Sequence, residues 1–277
     1  MKIEILIAAM HQTDLSLAKN CNANTDILII NQCDKEDYCE EIYNGHKIRM
    51  ISTKERGTSN SRNMALDNAT GDICIFCDDD VVYNDGYKDA IKNAYEQKKD
   101  ADIIAFNINL LNPRTKRTKE KITEFKKNGR FKRYGTVHIT FKREQILKKQ
   151  IRFNTLFGPG SGVIYNAEDN LWQTDALNAG LKFYQHPFYI AQVDMSNSTW
   201  FEGYNEKYYY SAGAYVCKAF PIMKHILKFY YIYRLRNDKN LSIFQKIKWL
   251  NAGIKGIKKE LSYEKYLENI TKGKQVK

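Results

Sequence analysis

Five short apolar runs recur between the start of the chain and its second hundred positions, at Ile3 to Ala9, Ile27 to Ile30, Ile48 to Ile51, Ile73 to Cys77 and Ile103 to Leu111. Each is rich in β-branched residues and of strand length, the texture of strands covered on both faces. Helix-like stretches separate them. Residues 59 to 71, SNSRNMALDNATG, carry Ser59 as a candidate cap, Met64, Ala65 and Ala69 on one side, and Gly71 as a stop. Residues 85 to 98 place Tyr87, Ala90, Ile91, Ala94 and Tyr95 at helical spacing. Strand and helix in alternation predict an α/β fold with a mostly parallel sheet flanked by helices.

Length and composition fit that class. A chain of 277 residues, 43% hydrophobic and 27% charged, buries one large core with room for an appendage. No run reaches the roughly 18 apolar residues of a membrane span, and MKIEILIAAMHQTD is too short in its apolar part and carries Glu4, unlike a signal peptide. The expectation is a cytoplasmic protein. Six cysteines form no two spaced pairs; Cys74 and Cys77 have metal-knuckle spacing, but their odd separation in a strand points them to opposite faces, so reduced core thiols are expected.

The net charge of +12 is uneven: Lys218 to Lys277 holds 15 Lys/Arg against 4 Asp/Glu, leaving the stretch from Met1 to Cys217 near neutral. Within this tail, Ile222, Ile226, Phe229, Tyr230 and Tyr233 recur at helical spacing, as do Ile243, Ile247, Leu250, Ile254 and Ile257, with lysines between. An apolar face beside a lysine face suits a helix lying on an anionic membrane surface. The bland alternative is a pair of helices packed on the rest of the chain with solvated lysines. The expected division is residues 1–217, in halves 1–111 and 112–217, and a basic helical extension, 218–277.

The chemistry concentrates where the fourth strand stops. In GDICIFCDDDVVYND an apolar run ends in Asp78, Asp79 and Asp80. Ligands of open parallel sheets bind beyond the carboxyl ends of strands, and three adjacent carboxylates repel unless water or a cation intervenes. A divalent ion holding a diphosphate gives the cluster a use; a solvated turn is the other reading. Farther on, FGPGSGVIYNAEDNLWQTDALNAG sets a glycine-rich turn before Glu168 and Asp169, at the start of a helix closed by Gly180.

The run RGTSNSRNMALDNATGDICIFCDDDVVY, residues 56 to 83, resembles the segment of family 2 glycosyltransferases of the GT-A fold that carries the DxD motif, and residues 157 to 180 resemble that family's Glu-Asp block. The resemblance extends from the start of the chain to about position 200. It implies a metal-dependent, inverting transfer from a UDP-sugar, with Mn2+ or Mg2+ as cofactor, residues 1–111 as the nucleotide-binding half and 112–217 as the acceptor-binding half. Asp78 and Asp80 match the outer positions of the motif as metal and donor contacts, with Asp79 beside them. Asn31 and Gln32 match the place of a base-reading acid, Arg62 a base or diphosphate contact, and Asp169 the catalytic base, with Glu168 orienting or replacing it. Ala8 and His11 fall where relatives contact the donor, although IAAMHQTD departs from their pattern. His186 is a candidate further metal ligand. Trp172, Trp200 and Phe201 are candidate sugar platforms, and Gly158, Gly160 and Gly162 candidate points of close backbone approach. Relatives of the bacterial surface-polysaccharide type imply a saccharide or polyprenyl-diphosphate-linked acceptor and a peripheral place on the inner membrane face. A nucleic-acid-binding protein acting through the basic tail is the alternative, disfavoured by the absence of an RNA-binding signature and the near-neutral stretch before the tail; a nucleotidyltransferase would need a phosphate loop that IAAMHQTDLS lacks.

Overall fold

A computed structural model describes residues 1–112, 121–196 and 203–275, and its strands and helices alternate as the apolar runs require. In chain order they are β1 (Ile3–Met10), α1 (Ser16–Asn20), β2 (Asp26–Gln32), β3 (Asp37–Tyr43), β4 (His46–Thr53), α2 (Thr58–Asn68), β5 (Ile73–Asp78), β6 (Val81–Tyr83), α3 (Tyr87–Gln97) and β7 (Ile103–Leu111). Then follow β8 (Lys126–Lys127), β9 (Ile139–Lys142), α4 (Arg143–Lys148), α5 (Glu168–Asn178), β10 (Phe183–Asp194), α6 (Glu206–Ala219), α7 (Lys224–Arg234), α8 (Ile243–Ile257) and α9 (Tyr263–Gln275). The chain divides into two compact units, Met1–Phe153 with Trp172–Ser198, and Asn154–Leu171 with Thr199–Lys277.

The first unit is built on one sheet ordered β3-β4-β2-β1-β5-β9-β7-β10-β6, with β8 also pairing β10. β4, β2, β1 and β5 run parallel to one another, as do β7 and β10, whereas β9 enters antiparallel between β5 and β7. Alternation sorts the side chains into two layers: Ile3, Ile5, Ile7 and Cys77 pack on one face with α3, and Leu6, Leu28, Cys74 and Phe76 on the other with Ala65 and Leu66 of α2. Cys74 and Cys77 thus face opposite layers, and all six cysteines are free thiols. The β3–β4 hairpin turns at Asn44-Gly45, both at positive φ, the requirement of a tight type I′ turn.

Two local expectations are corrected. The residue before the first turn of α2 is Gly57 (φ 106), not Ser59, which is buried one residue into the helix. Gly71 does not stop α2, which ends at Asn68; a Cβ there would lie 2.7 Å from Glu4 Cβ and 3.0 Å from its backbone nitrogen, so glycine permits the approach to β1. Glu4, buried in β1, accepts from Gly71 N (2.8 Å) and from Arg49 Nη2 (2.7 Å), which fixes the start of β5. Of the basic stretch from Pro113 to Arg133, residues 113–120 lie outside the described residues; Ile122 is buried, its N–H donating to Asn107.

The second unit is helical. Phe157, Ile164 and Leu171 share a core with Tyr209, Tyr210 and Val216 of α6 and Trp249, Leu250 and Ile257 of α8. α6 and α8 meet backbone to backbone: a Cβ on Gly213 would lie 2.1 Å from Leu250 O, and one on Gly253 1.8 Å from Tyr210 O. Lys246 is buried in α8 and donates to the carbonyl of Asp238 (2.6 Å) while pairing with its carboxylate (3.3 Å), so one of the tail's lysines is structural. Among the described residues no helix is long and apolar enough to cross a membrane.

Candidate active site

β5 ends because its buried apolar residues give way to carboxylates that need water or a counter-charge. Asp78 is its last residue and is half-buried; Asp79 and Asp80 follow in the turn to β6. On the parallel neighbour β1, Ala8 stands in register with Asp78. From α2, the buried guanidinium of Arg62 places Nη2 3.0 Å from Asp78 Oδ1, and its Cζ lies 5.5 Å from the centroid of the Phe153 ring. One carboxylate of the three is therefore paired.

The other two are less comfortable. Burial, then repulsion from Asp78, raises the Asp79 carboxyl above its ordinary value. Burial, then repulsion from Asp78 and Asp79, pushes Asp80 to about 6. Both residues are exposed, so protein removes water from their carboxyls on one side only and the other side stays open to a ligand. Hard carboxylate oxygens with excess negative charge fit a divalent cation. Among the described residues no three His, Cys, Asp or Glu form a ready metal cage.

Beyond the carboxyl ends of β1 and β2 opens a cavity of about 470 Å³ lined by His11, Gln12, Thr13, Cys33, Asp34 and Lys35. Asn31 does not line it. Fully buried, its amide donates to Gln12 O (2.8 Å) and Ser52 Oγ (3.0 Å) and accepts from Gln12 N (2.8 Å). Both of its donors are engaged, so the base-reading role expected of Asn31 is corrected to one of positioning the Gln12 wall. Gln32 is likewise buried, and its Oε1 accepts from Gly57 N (2.7 Å), locking the entry to α2 and hence Arg62. A second cavity, about 360 Å³ and lined by Asp72, Lys142 and Arg143 among others, opens at the opposite ends of the strands, away from these carboxylates.

Two further expectations are corrected. His186 pairs in register with Phe106 on β7, whereas Val193, the neighbour of β6, pairs with Leu110, so about 13 Å of strand separates the two levels. Its ring packs 4.6 Å from Phe125 and 5.1 Å from Phe106, and its Nδ1 accepts from Phe188 N. The structure does not bring it to Asp78 and Asp80. Trp172 is wholly buried, stacked on Phe153 at 5.5 Å and edge-on to Phe76, and serves the core instead of a sugar. Trp200 and Phe201 lie outside the described residues.

In the second unit, Glu168 and Asp169 open α5. The glycine-rich turn wraps Glu168: Gly158, at φ +100, passes so close that a Cβ would lie 3.1 Å from Glu168 Cγ and Cδ. Glu168 is buried, Asp169 is half-buried with Oδ1 accepting from Asn170 N at 2.9 Å, and Ala167 before them sits at φ 73, where a non-glycine residue is strained. A buried carboxylate packed closely against the Gly158 turn beside a more accessible one can divide the work of positioning and proton transfer.

Residues 8–157, more than half of the chain, match the family model described as glycosyl transferase family 2. The chain belongs to this family. It is a family 2 glycosyltransferase, and its fold is GT-A-like. Among solved structures it is similar to Staphylococcus aureus TarS 1-349 in complex with UDP-GlcNAc, at 12% identity and TM-score 0.62, covering 91% of this chain and 79% of that one. TarS 1-349 in complex with UDP matches at 12% identity and TM-score 0.61 over 92% and 80% of the two chains. Against the longer TarS the TM-score is 0.57, at 12% identity, over 95% of this chain and 44% of that one. No curated protein sequence matches.

For a family 2 glycosyltransferase the structure adds residues that sequence reasoning passed over. Gln12, Cys33, Asp34 and Lys35 wall the cavity, for which the only sequence signal was the place of IAAMHQTD and NQCDK after two strands. Asp175, on α5, has its carboxyl pushed up to about 6 by burial alone. No motif marks it.

Proposed function

We propose that this family 2 glycosyltransferase moves a sugar from a UDP-sugar to a saccharide acceptor, inverting the anomeric centre with the help of Mn2+ or Mg2+. The single observation that carries the reading is the acidic triplet at the carboxyl end of β5, with Arg62 paired to one member and, among the described residues, two members short of counter-charge. Likeness to a protein solved with UDP-GlcNAc and with UDP supports the donor class.

Asp78 and Asp80 would hold the cation, which when bound neutralises the diphosphate that leaves. Asp79 and Arg62 contact the donor, and Ala8 gives it room. The cavity after β1 and β2 receives the nucleoside, its Gln12 wall positioned by Asn31, while Gln32 fixes the entry to α2 and with it Arg62. Asp169 takes the proton of the acceptor hydroxyl as that oxygen bonds to the anomeric carbon and the bond to UDP breaks; Glu168, packed against the Gly158 turn, orients it. The catalytic part spans residues 1–217 and the basic extension 218–277. The acceptor is carried on a polyprenyl diphosphate for surface polysaccharide, at the inner face of an anionic membrane, and no nucleic acid is bound.

A panel of UDP- and GDP-sugars assayed with Mn2+ and saccharide acceptors tests this. Transfer from one UDP-sugar, with an inverted product linkage by NMR, is expected. Asp169→Asn lowers kcat by about 10²- to 10⁴-fold with donor affinity kept. Full turnover in that variant, or a GDP-sugar preference, would refute the assignment.

A further inference from the structure

The two tail stripes look alike in the sequence, and the structure separates them. The stripe of α8 is mostly interior: Leu250, Ile254 and Ile257 are buried, and Trp249 beside them. α7 carries two apolar stripes on opposite sides. Leu227, Tyr231 and Leu235 lean on the core of the second unit. Opposite them, Ile226, Phe229, Tyr230 and Tyr233 are exposed, continuous with Ile222 just before the helix, and α7 has no buried residue. Ile222 is 94% exposed, Ile226 69%, Tyr233 65%, and Phe244 at the start of α8 81%. The helix is anchored by its inner stripe, so folding does not explain the outer one; contiguous exposed apolar residues of this kind mark an interaction surface.

Charge selects the occupant. Between Pro221 and Lys248 stand seven Lys/Arg and a single acid, Asp238, which is already paired with Lys246. Lys228 lies 5.1 Å from the Phe229 ring and Arg236 4.5 Å from the Tyr233 ring, so cations flank the apolar stripe closely. A second copy of this chain, itself at +12, would bring the same cations against them. An anionic bilayer presents the complement, apolar at depth and negative at its surface.

We infer that α7, with Ile222 and Phe244, is the element that enters the anionic membrane interface, and that α8 is its internal support. The inference rests on the proposed peripheral membrane association and assigns it to one helix.

The test is co-sedimentation of the full chain with phosphatidylcholine vesicles containing roughly one-third phosphatidylglycerol, and with phosphatidylcholine alone, at low and high salt. The wild type should bind the anionic vesicles and be released by salt. The triple variant Ile226→Gln, Phe229→Gln, Tyr233→Gln, which removes solvent-exposed groups and should keep its Tm, is expected to bind at least about tenfold more weakly. A charge control, Lys255→Gln, Lys258→Gln, Lys259→Gln, should change binding less than about threefold. If the wild type does not sediment, the membrane reading and this inference fall together. If the wild type binds and only the charge control loses binding, membrane association stands and the assignment to α7 is overturned. Vesicle-independent dimers in sedimentation velocity, dissolved by the triple variant, would also overturn it in favour of a second copy.

Discussion

Arg62→Met tests how the acidic triplet is held in place. Arg62 is buried, with its Nη2 3.0 Å from Asp78 Oδ1, and methionine keeps the apolar stem against Phe153 while removing the charge. Breaking a fully buried ion pair costs roughly 3 to 5 kcal/mol. The Asp78 side chain is about a quarter exposed (24%), and water screens part of that loss, which leaves about 2 kcal/mol at pH 7.5. For a unit of this size that is roughly 4 to 8 °C in Tm. Thermal unfolding of wild type, Arg62→Met and Arg62→Lys is the assay, with and without Mn2+. Arg62→Lys keeps the charge and should lose less. Mn2+ should stabilise Arg62→Met more than the wild type, because a cation then replaces the missing positive charge. A variant as stable as wild type without Mn2+, and no more responsive to it, would refute the view that Arg62 offsets the repulsion among Asp78, Asp79 and Asp80.

Two further outcomes follow from packing and burial. Gly253→Ala places a methyl 1.8 Å from Tyr210 O, so α6 and α8 must separate, and a loss of about 2 to 3 kcal/mol by urea denaturation is expected; a change under about 0.5 kcal/mol would contradict the backbone contact. Burial raises the Asp175 carboxyl to about 6, so the folded protein holds this proton more tightly than the unfolded chain and stability falls as pH rises from about 4 to about 6. Asp175→Asn removes that dependence: it should match wild type near pH 4 and exceed it by about 1 to 2 kcal/mol at pH 7.5, and a difference that does not change with pH would count against burial as the cause.

The central strands were legible because continuous apolar character and β-branching act locally: Ile3 to Ala9, Ile27 to Ile30 and Ile73 to Cys77 lie within β1, β2 and β5, which are buried on both faces, and the odd spacing of Cys74 and Cys77 did sort them to opposite layers. The β3–β4 hairpin was missed although Asn44-Gly45 is its local signal, because β3 is an exposed edge strand with almost no apolar alternation. β9 carries only ITFK before a helix, and its place between β5 and β7 is set by pairings such as Ile73 with Lys142, far apart along the chain, which no local pattern encodes.

At the candidate site, residue type was readable and engagement was not. An amide at the end of β2 can read a base or hold a loop, and only the bonds from Asn31 to Gln12 and Ser52 decide. His186 and Trp172 were plausible by kind, but register and core packing place them elsewhere. The tail stripes had equal periodicity; what separates α8 from α7 is close backbone contact through Gly213 and Gly253, a tertiary fact with only small residues as its trace.

Calorimetric titration of UDP into the protein, with and without Mn2+, reaches the central claim most directly. If Asp78 and Asp80 anchor the donor diphosphate through a cation, wild type should gain at least about tenfold in affinity on adding Mn2+, and Asp78→Asn with Asp80→Asn should gain nothing. Equal affinity with and without the ion in the wild type, or an undiminished gain in the double variant, would contradict the account.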